Sequence, residues 1–180
     1  MNKISCILIT KEIEYPKLVL ERLTLGFFDE IIIKTESPSV YQRYLLAKQA
    51  KNNIIFIQDD DCMMNYQNLF KTYNGQLTNA MPKEFKDKYD TMGCTLVGWG
   101  CYFQKSMLSV FDKYIAKYGE DDPHLLREAD RIFTYFNKPY NTLIQPHEDL
   151  PQGNDRMSSP ENYEFHMKSA NEALEKCKSL

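Results

Sequence analysis

The segment NIIFIQDDDC, residues 53–62, is the most informative part of the sequence about its architecture. Residues 54–57 are apolar and mostly β-branched, which predicts a strand that is buried on both faces. Two earlier apolar runs, residues 4–9 and 30–35, have the same character, and segments with helical spacing separate the three runs. Strands that alternate with helices predict parallel βαβ units, and an open sheet of that kind binds ligands at the carboxyl ends of its strands. Three aspartates stand at such an end: Asp59, Asp60 and Asp61.

The whole chain predicts an α/β fold, a Rossmann-type mixed sheet with flanking helices and a C-terminal helix. Helices are expected over residues 15–25 and 37–51, before the third strand. Beyond the aspartates, the pattern predicts one helix that ends near residue 73, another that begins at residue 82, and helices over residues 106–118 and 124–136. It predicts strands within residues 76–81, 94–103 and 142–144. Residues 159–180 are expected to form a C-terminal helix of the same domain as residues 1–158.

Composition narrows the class of protein. The 180 residues include 22 Lys and Arg against 25 Asp and Glu, so no strong basic field for nucleic acid is expected. The five cysteines have no CxxC spacing, which disfavours a disulfide scaffold or a structural zinc site and favours a reducing compartment. The apolar N-terminal run is too short for a signal peptide, and no run approaches membrane length. We therefore expect a cytoplasmic protein without a membrane partner.

The aspartate cluster has more than one interpretation. A solvated acidic turn is one, since aspartate suits turn geometry. A bound cation is the other, because adjacent carboxylates repel one another, and hard oxygen ligands favour Mg²⁺ or Mn²⁺ shared with substrate phosphates. The chain has neither a P-loop nor a glycine-rich dinucleotide motif. A phosphohydrolase of the haloacid-dehalogenase type, with Asp59 as nucleophile and Asp61 as general acid, stays open.

The same stretch resembles the DXD motif of nucleotide-sugar-dependent glycosyltransferases of the GT-A fold. The preceding VYQRYLLAKQA (40–50) resembles the helix before that motif, LVGWGCYF (96–103) the strand beside the donor sugar, and READRIF (127–133) the later acidic helix. The set YQRY, FIQDDDC, TNAMP, GWG, EDLP and DRMS is similar to a phage glycosyltransferase group. That group is allied to the glucosyltransferases that act on hydroxymethylated pyrimidines in DNA. The resemblance covers roughly residues 1–160.

The resemblance implies a nucleotide-sugar site, with UDP-glucose or another UDP-sugar as donor. It assigns the nucleotide or its ribose to four residues: Thr10, Arg43, Asp59 and Asp60. It implies that Gly98 and Gly100 let the backbone approach the sugar and that Trp99 forms a wall. A buried aromatic residue beside a strand bulge is the alternative for Trp99. Arg156 would clamp the diphosphate, unless it is an ordinary solvated charge.

The resemblance also implies a metal site and a catalytic base. Mn²⁺ or Mg²⁺ would be bound by Asp61, with Asp59 and His147 as further ligands and Asp149 as a rival to the histidine. Asp130 is expected to be the base that activates the acceptor, with Glu128 next. A carboxylate paired with a neighbouring arginine on the helix surface is the alternative for both.

The expected function is therefore metal-dependent transfer of a sugar from a nucleotide diphosphate to a hydroxyl acceptor. The acceptor is a hydroxymethylated pyrimidine in phage DNA by the narrower resemblance, which places the protein in the host cytoplasm, or a saccharide by the broader one. A DNA acceptor would use a basic face of six lysines: Lys83, Lys86, Lys88, Lys105, Lys113 and Lys117. A module that binds nucleotide sugars without turning them over is the non-enzymatic alternative.

Overall fold

The computed structural model describes residues 3–10, 16–23, 26–36, 39–146, 148–149 and 163–180. The strands in these ranges are β1 Ile4–Ile9, β2 Glu30–Lys34, β3 Ile54–Asp59, β4 Cys62–Met63, β5 Thr78–Met81, β6 Cys101–Gln104, β7 Asn141–Ile144 and β8 Glu148–Asp149. The helices are α1 Pro16–Leu23, α2 Gln42–Gln49, α3 Tyr66–Thr72, α4 Lys83–Met92, α5 Val110–Tyr118, α6 Pro123–Phe136 and α7 Tyr163–Lys178, and a 3₁₀ turn, Lys105–Ser109, leads into α5.

Six strands form one mixed sheet in the order β2-β1-β3-β6-β5-β7. β1 is parallel to both β2 and β3, and β5 is parallel to β7, whereas β6 runs antiparallel to β3 and to β5. β4 and β8 form a separate antiparallel ladder. The predicted α/β class, with a mixed sheet and flanking helices, is confirmed.

The sheet has a hydrophobic core on each face, because successive side chains of a strand point to opposite sides. On β1, Cys6 and Leu8 pack with Val19 of α1 and with α3. Ile7 faces the other way and packs with α2, α5 and α6. On β3 the same alternation puts Ile57 on the α2 and α6 side, so Asp59, two residues further on, faces that side as well.

The C-terminal helix α7 completes the core on the α6 side. Its small residues Ala170, Ala173 and Cys177 are buried, and the last two belong to the same cluster as Leu125 and Ile132 of α6. Small side chains at these positions let the two helices approach closely. Within the described residues, none of the helices has the length and apolar character that crossing a membrane needs.

Several boundaries differ from the sequence predictions by a few residues, and two of the differences have a visible cause in the backbone. The strand expected within residues 94–103 begins only at Cys101. Gly100 has a φ of +106°, and its N–H donates to the Val97 carbonyl at 3.1 Å, so the chain turns here instead of extending. The helix expected over 37–51 ends at Gln49, because Ala50 is extended with a ψ of 143°.

Candidate functional site

The aspartates lie at the point where the sheet changes direction. β1 is the first strand of the chain, and its neighbours β2 and β3 lie on opposite sides of it. The helices that precede these two neighbours, α1 and α2, pack on opposite faces of the sheet. The carboxyl ends of β1 and β3 therefore flank the crevice where open α/β sheets bind ligands. Thr10 follows one of these strands, and Asp59 ends the other.

Arg43 joins two of the predicted site residues. Its Nη2 donates to Asp59 Oδ1 at 2.6 Å, and its Nη1 donates to Asp130 Oδ2 at 3.2 Å. The Arg43 side chain is only 5% exposed, whereas the aspartates keep 30% and 26% of their side-chain surface exposed. The guanidinium thus forms the floor of the site, and the two carboxylates stand above it, open to the crevice.

Asp130 is a carboxylate with an unusual environment. The Tyr44 hydroxyl donates to its Oδ1 at 2.7 Å, which fixes the carboxyl group from the side opposite to Arg43. Burial raises the pKa of Asp130; the Arg43 charge opposes this, and the Asp59 charge adds to it. A raised pKa brings the proton affinity of a carboxylate closer to the value that suits a general base near neutral pH.

Two tyrosines belong to this site that sequence reasoning did not assign to it. Burial raises the pKa of Tyr44 well above its ordinary value, so its phenol stays a hydrogen-bond donor to Asp130. Tyr89 of α4 lies within electrostatic range of Asp59 and Asp130, and burial raises its pKa to about 12. The spacing of Tyr44 in α2 signals a buried face, but no sequence signal shows that α4 packs beside the aspartates.

Gly98 packs directly beneath Asp59. The Asp59 N–H donates to the Gly98 carbonyl at 2.6 Å, and a Cβ at Gly98 would overlap the Asp59 carboxyl group. A Cβ at Gly100 would instead meet the side chain of Met64. The resemblance implies that these glycines make room for a sugar; in the structure the space beside them holds Asp59 and Met64.

Trp99 is half-buried and packs edge-to-face against Phe85 of α4, with ring centroids 4.9 Å apart. It belongs to the core on the α1 and α3 side of the sheet. Trp99 therefore packs at the edge of this core and keeps part of its surface exposed.

Asp60 and Thr10 tie the ends of β3 and β1 together. Burial raises the pKa of Asp60, and a hydrogen bond from the Thr10 hydroxyl opposes that rise. Thr10 is 3% exposed, so this hydrogen bond lies beneath the surface of the crevice. Both residues were predicted to bind the nucleotide, and the structure brings them together at the switch point.

Asp61 is the aspartate that the resemblance assigns to a cation. It lies partly exposed in the turn after β3, two residues beyond Asp59. Among the described residues, no group of three His, Cys, Asp or Glu side chains is arranged to hold a metal. Mg²⁺ is usually bound by only one or two protein carboxylates plus substrate phosphates and water, so these donors fit a cation that is shared with a substrate.

Glu128 lies away from the other predicted site residues. Its side chain is 2% exposed and sits between α6 and α7, where Arg131 Nε donates to its Oε2 at 3.1 Å. Burial acts to raise the pKa of Glu128, but His166 and Arg131 outweigh it, and the net pKa is lowered. The structure therefore puts Glu128 in a buried ion-pair cluster and Asp130 at the crevice.

Two predicted residues, His147 and Arg156, lie outside the described residues. The neighbouring strand β8 is described, and its Asp149 is the register partner of Cys62, the residue after Asp61. The chain therefore returns to the aspartate turn at this point. The exposed side chains of Arg22 and Glu148 hold the ladder to α1 through two hydrogen bonds of 2.5 and 3.1 Å.

The six lysines of the predicted basic face are not all available. Lys86 pairs with Asp90, Lys105 donates to the Ala50 carbonyl at 2.7 Å, and Lys117 donates to the Ser179 carbonyl at 2.7 Å. Lys83 and Lys113 have exposed side chains.

Comparison of the chain with protein-family models and with curated proteins finds no match.

Proposed function

We propose that this protein is a glycosyltransferase that moves a sugar from a nucleotide diphosphate to a hydroxyl group. The observation that carries the proposal is the arrangement at the switch point. Asp59, Asp60 and Asp61 lie at the carboxyl end of β3, where open α/β sheets bind ligands, and Arg43 bridges Asp59 to Asp130, which Tyr44 also holds. The sequence resemblance supports the same assignment.

Asp130 is the proposed base. Its carboxylate takes the proton of the acceptor hydroxyl, the hydroxyl oxygen forms a bond to the anomeric carbon of the sugar, and the bond from that carbon to the diphosphate oxygen breaks. Arg43 and Tyr44 contribute by holding the Asp130 carboxyl group in one orientation before substrate arrives, and such positioning is a large part of catalysis.

Asp61 is the proposed cation ligand, and Asp59, whose carboxyl group packs over Gly98, is the proposed second ligand. Bound there, Mn²⁺ or Mg²⁺ supplies positive charge that stabilises the leaving diphosphate. Asp60 and Thr10 line the part of the crevice where the resemblance expects the nucleotide. Because their hydrogen bond is buried, we propose that Asp60 and Thr10 maintain the shape of this part of the crevice.

The proposal is tested with a panel of nucleotide sugars, in the presence and absence of Mn²⁺ or Mg²⁺. We expect metal-dependent binding and slow hydrolysis of one donor. Asp61→Asn should abolish the metal-dependent turnover, and Asp121→Asn, a change in an exposed loop aspartate, should leave it intact. Equal turnover by wild type and Asp61→Asn at saturating Mn²⁺ would overturn the metal assignment.

The same panel separates the alternatives. Hydrolysis of p-nitrophenyl phosphate without binding of any nucleotide sugar would favour the phosphohydrolase. Donor binding without hydrolysis or transfer to any acceptor would favour the binding module. For the acceptor, labelled donor is offered with DNA that contains hydroxymethylcytosine or hydroxymethyluracil, with unmodified DNA, and with oligosaccharides. Label in the hydroxymethylated DNA alone would identify DNA as the acceptor, and label in an oligosaccharide alone would exclude it.

A further inference from the structure

Helix α6 is broken two residues before Asp130. Glu128 has φ −112° and ψ 25°, values outside the helical range, although the residues on both sides of it are helical. Breaks within helices have identifiable causes, such as proline or an inserted group. The only proline in α6 is Pro123, which lies in the first turn and suits a helix start. Tertiary contacts are therefore the cause to examine.

On one face of α6, Glu128 is anchored to the C-terminal helix α7. His166 of α7 places its Nδ1 3.4 Å from Glu128 Oε1 and its Nε2 3.2 Å from Arg131 Nη2. Arginine can only donate, so Nε2 is the acceptor in this contact, and Nδ1 is the ring nitrogen that faces the carboxylate. Glu128 is thus held from two sides, by its own helix and by α7.

On the opposite face of the helix, α6 is anchored to α2. The Leu126 carbonyl, two residues before Glu128, accepts from the Tyr41 N–H at 3.4 Å. Asp130, two residues after Glu128, is held by Arg43 and Tyr44. Residues two apart in a helix lie about 200° apart around its axis, so Glu128 and Asp130 face opposite sides of α6. The contacts with α7 and those with α2 therefore meet at the break from opposite faces of α6.

We propose that Glu128 is a positioning residue, and that α7, through His166, sets the orientation of Asp130 at the crevice by holding the break in α6. Without this anchor, α6 relaxes toward regular helical geometry, and Asp130 rotates away from Tyr44. The orientation of Asp130 can be tested in the protein without substrate, whatever reaction it catalyses. The consequence for turnover rests on the proposed function.

The test compares two His–Glu pairs that both join α6 to α7. His166→Gln and Glu128→Ala weaken the anchor at the break. The control variants, His124→Gln and Glu172→Gln, weaken a pair in the first turn of α6, where His124 Nε2 lies 3.6 Å from Glu172 Oε2. Glu128→Gln keeps the shape and the acceptor oxygen, so it should restore the wild-type geometry in part.

The first readout is a crystal structure of each variant without substrate. We expect His166→Gln and Glu128→Ala to lose the 2.7 Å Tyr44–Asp130 hydrogen bond, and the control variants to retain it. The second readout is kinetic. A displaced base lowers kcat by about 10²-fold at unchanged donor affinity, because misplacement by about 1 Å has that effect.

Each outcome decides the question. A retained Tyr44–Asp130 hydrogen bond in folded His166→Gln and Glu128→Ala would overturn the proposal. Failure of both variants to fold, with folded controls, would overturn it as well, because the cluster would then serve stability alone. If the wild type itself transfers no sugar from any donor of the panel, loss of the hydrogen bond in the variants would still support the positioning role, and the glycosyltransferase assignment would be refuted.

Discussion

Replacement of Arg43 by methionine is the most direct test of the site geometry. The guanidinium is 5% exposed and pairs with Asp59 and Asp130, so Arg43→Met leaves two carboxylates without their common partner. Removal of one member of a buried ion pair destabilises a protein by about 3–5 kcal/mol. The aspartates keep 30% and 26% exposure, so water screens part of the effect, and we expect a loss of about 2–3 kcal/mol.

The loss should depend on pH, because Asp130 titrates. Its pKa in the folded protein lies above its ordinary value, so the unfolded state releases this proton first, and stability falls as the pH rises from about 4 through the folded pKa. Arg43 opposes the raised pKa, so its removal raises the folded pKa further and extends this window upward. The destabilisation by Arg43→Met should therefore be larger at about pH 8 than at about pH 5.

Urea unfolding followed by circular dichroism measures both the destabilisation by Arg43→Met and its dependence on pH. At neutral pH, a loss of about 2–3 kcal/mol corresponds to a fall in Tm of roughly 4–12 °C for a domain of this size. Arg22→Met is the matched control, since Arg22 also makes two hydrogen bonds to a carboxylate but is exposed; its urea midpoint should stay near that of the wild type. A loss below about 1 kcal/mol, or one of equal size at both pH values, would refute the reasoning.

Three further changes address the base, the packing and the start of α6. Asp130→Asn should lower transfer by about 10²-fold with donor affinity unchanged, as measured by steady-state kinetics and calorimetry; equal losses in both would count against its role as base. Gly98→Ala should destabilise the protein by about 1–3 kcal/mol in urea unfolding, because the new methyl group meets the carboxyl group above it, whereas the exposed Ser109→Ala should have little effect. Asp122→Ala removes the N-cap of α6 and should cost roughly 1–2 kcal/mol at neutral pH. Burial acts to raise the pKa of Asp122, but Lys176 and the capped N–H groups lower it overall. The stability that the Asp122 carboxylate contributes is therefore lost as the pH falls through its folded pKa, and the urea midpoints of wild type and Asp122→Ala should converge there.

β1 and β3 were predictable because they are buried on both faces, whereas β2, which was expected to be buried as well, is the edge strand of the sheet and is partly exposed. The apolar runs that become β1, β2 and β3 have no polar alternation, and helices separate them, which leaves few topologies to consider. The switch-point rule then places Asp59, Asp60 and Asp61 correctly at the carboxyl end of β3. The ladder of β4 and β8 was not predicted, since strands of two residues are too short to produce a periodic pattern.

The contacts within the site were harder to predict than its location. Arg43 and Asp130 are 87 residues apart in the chain, and the hydrogen bond between them depends on how α2 and α6 pack on the same face of the sheet. An acidic run such as residues 120–122 is typical of a solvated loop, but its last residue is a buried cap: Asp122 is 9% exposed and accepts from two backbone N–H groups. Sequence patterns indicate which residues are apolar or charged, but not which helix lies against which.

The hydrogen bond between Asp59 and Gly98 has a consequence for Trp99. β3 and β6 are paired with Ile57 opposite Cys101, and the same register continued by two residues would put Trp99 opposite Asp59. The Asp59 N–H bonds the Gly98 carbonyl instead, one residue further along. Because a shift of one residue exchanges the two faces of a strand, this extra residue gives Asp59 a glycine as neighbour and sends the indole to the opposite side, against Phe85. Because of this one inserted residue, a glycine rather than an aromatic ring packs against the Asp59 carboxyl group.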